Sequence, residues 1–305
     1  MARDFEARRV ASRMAPQHGK PLKSGATLPR STIQPMFAYI DPEIRSRLIN
    51  TGKLIRVNAT GRVIDVDSPI DRGLALNILG PIPLPVLLGD RELNVTWYAV
   101  VRSTELDKVD ELATALRNQG GQRLFSMLAS YMAVNSVLVI GDPSESDSPL
   151  VRVHSSCLTG DVFGSQRCEC GPQFMSAMGR MADDPNGGML IYMSGHEGRG
   201  IGLWAKAVTY LLQDAGENTY EANRSLGLPD DSRDFTDAAA MLLHFLGDRP
   251  FRLLTNNPKK VSDLSQHGLH HITAERHVVG VGDWNRRYLA AKRDWGHVLN
   301  DIDLT

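Results

Sequence analysis

The chain has 305 residues, 42% of them hydrophobic, and its 34 basic and 35 acidic side chains leave a formal net charge of −1. That length supports a substantial core in one large domain or two, and the balanced charge excludes a global field for nucleic acid or an anionic membrane. Any polyanion site must therefore be local.

Residues 1–25 mix basic side chains with Pro and Gly and lack the apolar run of a signal peptide, which points to a mobile arm on a cytoplasmic protein. The most apolar stretch that follows, Leu79–Leu88, is short and interrupted by Pro81, Pro83 and Pro85, so no membrane span is expected. A boundary near residue 78 divides an N-terminal extension of unknown role, 1–78, from a main domain, 79–305. Leu93–Val101 is β-branched and aromatic and reads as a strand. Lys108–Asn118 and Gln122–Val134 read as helices, Val137–Gly141 and Leu150–His154 as strands, Phe174–Ala182 as a helix and Met189–Met193 as a buried strand. The apolar positions 201, 204, 208, 211, 212 and 215 form one stripe of an amphipathic helix stopped by Gly216. Helix Thr236–Leu246, strand Phe251–Thr255, a helix entered through Pro258 and a last amphipathic helix over Trp284–Leu299 complete the chain. Alternation of this kind predicts an α/β fold, a mixed β-sheet core flanked by helices, with functional residues on loops leaving the strand ends.

All three cysteines fall in one such loop: Cys157, Cys168 and Cys170, interleaved with Gly164, Arg167, Glu169 and Gly171. Three thiolates this close hold one Zn²⁺ and leave its fourth tetrahedral position open, the arrangement of a catalytic site, whereas a structural site normally closes with a fourth protein ligand. Buried core cysteines would not be spaced by charged residues, and a Cys168–Cys170 disulfide would be strained. His154 stands immediately before the cluster and reads as a structural or substrate-contacting residue outside the coordination sphere.

Three further loops carry chemistry with open alternatives. Gly195-His-Glu-Gly-Arg-Gly-Ile-Gly202 is either a plain tight turn or a backbone that approaches a ligand closely, its acid suited to a guanine edge and its arginine to phosphate. Thr255-Asn-Asn-Pro-Lys-Lys260 opens a helix and offers free N–H groups beside two lysines, an anion site or a solvated face. In Leu228-Pro-Asp-Asp-Ser-Arg-Asp-Phe235, Asp231 and Arg233 converge on one ligand, or the segment is a capping turn with Asp234 as N-cap.

Taken together, Arg152-Val-His-Ser-Ser-Cys157-Leu-Thr-Gly-Asp161, Arg167-Cys-Glu-Cys-Gly171, Glu197-Gly-Arg-Gly-Ile-Gly-Leu203, Leu212-Gln-Asp-Ala-Gly216, Asp231-Ser-Arg-Asp-Phe235 and Arg252-Leu-Leu-Thr-Asn-Asn-Pro-Lys-Lys260 make residues 80–300 resemble the GTP cyclohydrolase II family of riboflavin biosynthesis. The resemblance implies that Cys157, Cys168 and Cys170 bind Zn²⁺. It implies a GTP site lined by Arg152, Val153, His154, Ser155, Ser156, Gln173, Glu197, Gly198, Arg199, Thr219, Thr255 and Lys260. It casts Asp231 as proton acceptor and Arg233 as nucleophile, a role that sits poorly with a guanidinium that stays protonated, and sets Tyr210 beside the metal to order its water. The family reaction releases pyrophosphate and expels C8 of the imidazole ring as formate, with Mg²⁺ at the phosphates, and a homodimer is implied. Two positions depart from the family pattern: Ser156 where Glu is usual, and His196 where Gln is usual before Glu-Gly-Arg. They keep two alternatives in view, a paralogue hydrolysing another purine or pyrimidine nucleotide, as in the uracil-catabolism branch, and a catalytically silent nucleotide-binding regulator.

Overall fold

The computed structural model describes residues 42–68, 73–109 and 132–304. The arm expected at 1–25 and nearly all of the helices expected over Lys108–Asn118 and Gln122–Val134 lie outside these residues. Among the described residues no helix is long and apolar enough to cross a membrane.

One nine-stranded sheet runs through the structure in the order β2-β1-β3-β4-β5-β7-β6-β8-β9. Its first half is antiparallel: β1 (Leu54–Asn58), β2 (Val63–Ile64), β3 (Ala75–Leu88), β4 (Arg91–Arg102) and β5 (Asn135–Ile140). β5 pairs antiparallel with β7 (Gly188–Met193), and from there β6 (Leu150–Ser155), β8 (Phe251–Leu254) and β9 (Ile272–Glu275) continue in parallel. Helix α1 (Pro42–Asn50) precedes β1, and α2 (Cys170–Asp183) makes the crossover from β6 to β7. α3 (Gly202–Asp214), α4 (Thr219–Ser225) and α5 (Thr236–Leu246) lie between β7 and β8; α6 (Pro258–Gln266) joins β8 to β9, and α7 (Arg286–Asp294) follows. The mixed α/β architecture is the one expected.

The parallel strands are covered on both faces, which is why they read as continuous apolar runs. Val151, Val153, Met189 and Ile191 pack with Ala238–Leu242 of α5 and Leu264 of α6. Leu150 and Leu190 point the other way, into Ala177, Met178 and Met181 of α2. Strand alternation thus sends Arg152 and His154 to the α2 side and Ser155 to the side of Phe235.

Three local features bear on the expected elements. Residue 78 lies inside β3, whose first five residues pair with β1, so the sheet runs without interruption across that position. Pro81, Pro83 and Pro85 do not interrupt the strand either. β1 pairs only as far as Leu79, so among the described residues the rest of β3 is hydrogen-bonded to β4 alone and the exposed prolines sit along its other edge, where a missing N–H removes no ladder bond. The last helix spans only Arg286–Asp294: Gly296 takes φ 91°, and Val298 N–H then bonds to Asn256 O, folding 297–299 back beside β8.

Candidate active site

In an α/β sheet ligands gather beyond the carboxyl ends of parallel strands, and three such ends meet here. β6 runs into Cys157, β7 into the glycine-rich turn 194–200, and β8 into Thr255. A cavity of about 140 Å³ opens between them, closed on its far side by residues of α3, α4, α7 and the 297–299 segment.

The metal loop is built first. After Cys157 the chain makes a single wide turn, Leu158–Val162, and Asp161 folds back so that its carboxylate accepts the Cys157 N–H at 3.0 Å and the Tyr192 hydroxyl at 2.9 Å, with His154 Nε2 at 3.1 Å. Cys168 precedes α2 and Cys170 begins it. The three sulfurs lie within 4.8 Å of one another, Cys157 and Cys168 at 3.6 Å; thiolates about 2.3 Å from a tetrahedral zinc stand roughly 3.8 Å apart. The residues present therefore fit the ion. All three thiols are free. Crowding concentrates one negative charge on Cys157, whose thiol the neighbouring Cys168, Cys170 and Lys206 hold far below its ordinary value, while Cys168 is pushed up to about 12 by Cys157 and Cys170 well above the usual thiol range. A divalent cation would relieve that conflict.

Gly160 roofs the cluster. A Cβ there would stand 2.9 Å from Cys168 Sγ and 3.1 Å from Cys157 Sγ, so Gly160→Ala is expected to lower zinc affinity by about 10-fold or more, measured by competition with a chromogenic chelator. Unchanged affinity would mean that the turn is free to move.

The cavity wall is strongly cationic. Arg152, Arg167, Arg199, Arg233, Lys206, Lys260 and Lys292 line it, and the one carboxylate among its described lining residues, Glu169, is paired with Lys292. Arg152 donates to Leu254 O and to Gln173 Oε1, both at 2.6 Å, and burial pushes its guanidinium down to about 10. Lys260 is buried against Val153 O at 2.6 Å; desolvation, with Arg152 and Arg233 nearby, holds its ammonium well below its ordinary value. Arg152 Nε and His154 Nδ1 are buried with no hydrogen-bond partner. Such a cluster gains by taking up an anion.

The glycine-rich turn is a strained coil: Gly198, Arg199 and Gly200 all have positive φ, and Arg199 is the one non-glycine residue with positive φ among those described. That conformation, costly for a side chain, sets the guanidinium 4.0 Å above the Tyr220 ring, and Arg199 lines the cavity. Glu197 turns the other way. Its Oε1 accepts from Lys206 Nζ at 2.6 Å and its Oε2 from Leu158 N–H at 2.7 Å, so both oxygens are already taken.

His196 is buried edge-on against Phe235. Its Nε2–H donates to Asp234 O at 2.9 Å, leaving Nδ1 to accept from Ser155 Oγ at 3.2 Å, and Ser155 Oγ in turn accepts from Arg233 Nη1 at 3.4 Å. Burial holds His196 down to about 4, and His277, bonded to Gln173 O, is likewise held at about 4. Both are neutral when folded. Below the unfolded value of about 6.5 the unfolded chain takes up protons that the folded chain refuses, so stability is full above that pH and is lost as pH falls toward 4, by about 1.4 kcal/mol per pH unit for each histidine. Thermal melts should show the midpoint dropping between pH 6.5 and 4, with a shallower slope in His196→Gln; an unchanged slope in that variant would remove His196 from the account.

Arg233 is gripped by Asp231 through a two-pronged contact, Nε to Oδ1 at 2.9 Å and Nη2 to Oδ2 at 2.7 Å. Burial alone would raise the Asp231 carboxyl, but the guanidinium outweighs it and holds it at about 2. Tyr210 hydroxyl meets Thr159 Oγ1 at 3.1 Å, which is 3.6 Å from Cys157 Sγ.

Of the sequence-derived candidates, Arg152, His154, Ser155, Ser156, Gln173, Gly198, Arg199, Tyr210, Thr219, Arg233, Thr255, Lys260 and the three cysteines line one cavity. Val153, Glu197 and Asp231 do not. Val153 has its side chain in the core and offers a carbonyl to Lys260, and the two acids hold cations in place. Ser156 Oγ donates to Ser194 O at 2.9 Å. Lys206, Tyr288, Lys292 and His297 also line the cavity and were not singled out from sequence. Lys206 was within reach, since it lies one helical turn before Tyr210 and shares its face.

The comparison with known proteins agrees with this geometry. The family model described as GTP cyclohydrolase II matches residues 114–276. Over 166 residues, 54% of this chain and 39% of the relative, the chain is 52% identical to the riboflavin biosynthesis protein RibBA of Mycolicibacterium paratuberculosis, and equally so to that of Mycobacterium marinum. With the Mycobacteroides abscessus protein of the same name it shares 53% over 171 residues, 54% of this chain and 40% of the relative. The matched region thus spans about two fifths of those relatives, and residues 114–276, the part covered by the family model, contain the cysteine cluster, the strained turn and the cationic strand ends. A family model covering more than half the chain, over the very loops that build the site, makes the chain a member of the GTP cyclohydrolase II family.

Proposed function

We propose that the protein is a zinc-dependent hydrolase that opens the imidazole ring of GTP, releasing formate and pyrophosphate and leaving 2,5-diamino-6-(5-phosphoribosylamino)pyrimidin-4-one. The observation that carries this reading is the meeting of three thiol ligands and a wall of buried cations in one cavity. Cys157, Cys168 and Cys170 would hold the ion, which when bound supplies a Lewis acid and a nucleophilic water near neutral pH. Arg152, Arg199, Arg233 and Lys260 present positive charge to the triphosphate, with Mg²⁺ sharing that load. Arg233, aimed by Asp231 and touching Ser155, stabilises charge as pyrophosphate leaves. Tyr210 and Thr159 order the polar groups at the edge of the cluster. We read the protein as cytoplasmic and homodimeric, on the family's pattern.

A second reading keeps the same hydrolysis but another nucleotide. Its support is Ser156, whose hydroxyl is spent on Ser194 O where the family carries a carboxylate, and the buried neutral His196. Incubating zinc-loaded protein with GTP and Mg²⁺ and following formate, pyrophosphate and pyrimidine by mass spectrometry tests both. All three products are expected; turnover confined to another nucleotide would transfer the proposal to the second reading.

A further inference from the structure

Three thiolates and one divalent cation sum to a net charge of −1, and thiolates are strong electron donors. A metal so ligated is a poorer Lewis acid than one held by neutral imidazoles, unless something draws density from the sulfurs. Lys206 stands where that would happen. Its Nζ is 3.1 Å from Cys157 Sγ, its side chain is buried, and Glu197 Oε1 also holds it at 2.6 Å. Glu197 is itself tied by its other oxygen to Leu158 N–H, the residue after the ligand. Helix α3 is thereby clamped to the metal loop through an ammonium whose charge is secured by a carboxylate at contact distance. This also explains a buried face that apolar periodicity did not anticipate: α3 buries Lys206 and Thr209 and leaves Trp204 and Leu211 exposed.

We propose that Lys206 is a positioning residue that acts through Cys157, its N–H···S bond lowering the donor strength of that thiolate toward the metal, with Glu197 serving to hold Lys206 there. Outer partners of metal ligands commonly set affinity and activity in this way. The inference rests on the reading of the cysteines as metal ligands, and the experiment separates the two.

The full chain is loaded with Co²⁺ and its near-ultraviolet thiolate-to-cobalt absorption recorded for the unaltered protein, Lys206→Met, Lys206→Arg and Glu197→Gln. Removing the N–H···S bond raises the energy of the sulfur lone pair, so the band of Lys206→Met should move to longer wavelength, while Lys206→Arg keeps its position. Glu197→Gln, which loosens the grip on Lys206, should move it the same way by less, and it decides the matter if the methionine variant does not fold. Formate release should fall roughly 10- to 100-fold in Lys206→Met. An unshifted band in both Lys206→Met and Glu197→Gln, with thiolate ligation intact, overturns the role of Lys206 and leaves the metal site standing. No thiolate-to-cobalt band in the unaltered protein overturns both.

Discussion

Cys168→Ser is expected to leave the protein without zinc and without formate release, a loss of about a thousandfold or more. Cys168 is buried, 3.6 Å from Cys157, and is one of the atoms against which Gly160 closes the loop. A serine hydroxyl is shorter and stays protonated near neutral pH, so two thiols would remain for a cation that normally takes at least three protein ligands. The metal content by mass spectrometry and formate by enzymatic assay are read together. Full formate release from metal-free variant protein would sink the assignment of the cluster. The fold is expected to persist, because Cys168 lies outside both packed faces of the sheet and Asp161 holds the loop through Cys157 N–H, Tyr192 and His154 independently.

The architecture was legible from alternation of strand and helix patterns, and the chemistry from motifs on the loops between them. What escaped did so for identifiable reasons. The prolines of β3 look like breakers in a linear reading because only the pairing shows that, among the described residues, they lie along the edge away from β4. Apolar periodicity placed α3 correctly but chose its wrong face, since the side turned inward abuts a polar site and not the core. Motif membership likewise named Glu197 and Asp231 but does not encode that Lys206, Leu158 N–H and Arg233 occupy their carboxylate oxygens. The 297–299 segment brings His297 to the cavity through a turn at Gly296, a contact distant in sequence that no local pattern encodes.

The restraint of Arg233 by Asp231 leads to the second large effect. Arg233→Ala is expected to depress pyrophosphate release by on the order of a thousandfold, because it removes the cation that joins Asp231 to the Ser155 hydroxyl at the cavity wall. Asp231→Asn should cost less, roughly 10- to 100-fold. The amide oxygen still accepts from Arg233 N–H and Nε, while the second prong is lost and the guanidinium swings more freely. With its carboxyl held at about 2 by Arg233, Asp231 is ionised throughout the working range, and both its oxygens are occupied, so it serves Arg233 as an anchor better than it serves a substrate as a base. Single-turnover assays with GTP labelled at the α-phosphorus separate the two roles. An anchor predicts that Asp231→Asn slows the step with its pH profile unchanged between pH 6 and 9 and that Arg233→Lys recovers only a small part of the activity, since a lysine cannot reproduce the fork. If Asp231→Asn proves as inactive as Arg233→Ala, the carboxylate takes a proton directly, and the fork seen here is the resting arrangement of a base that the nucleotide releases.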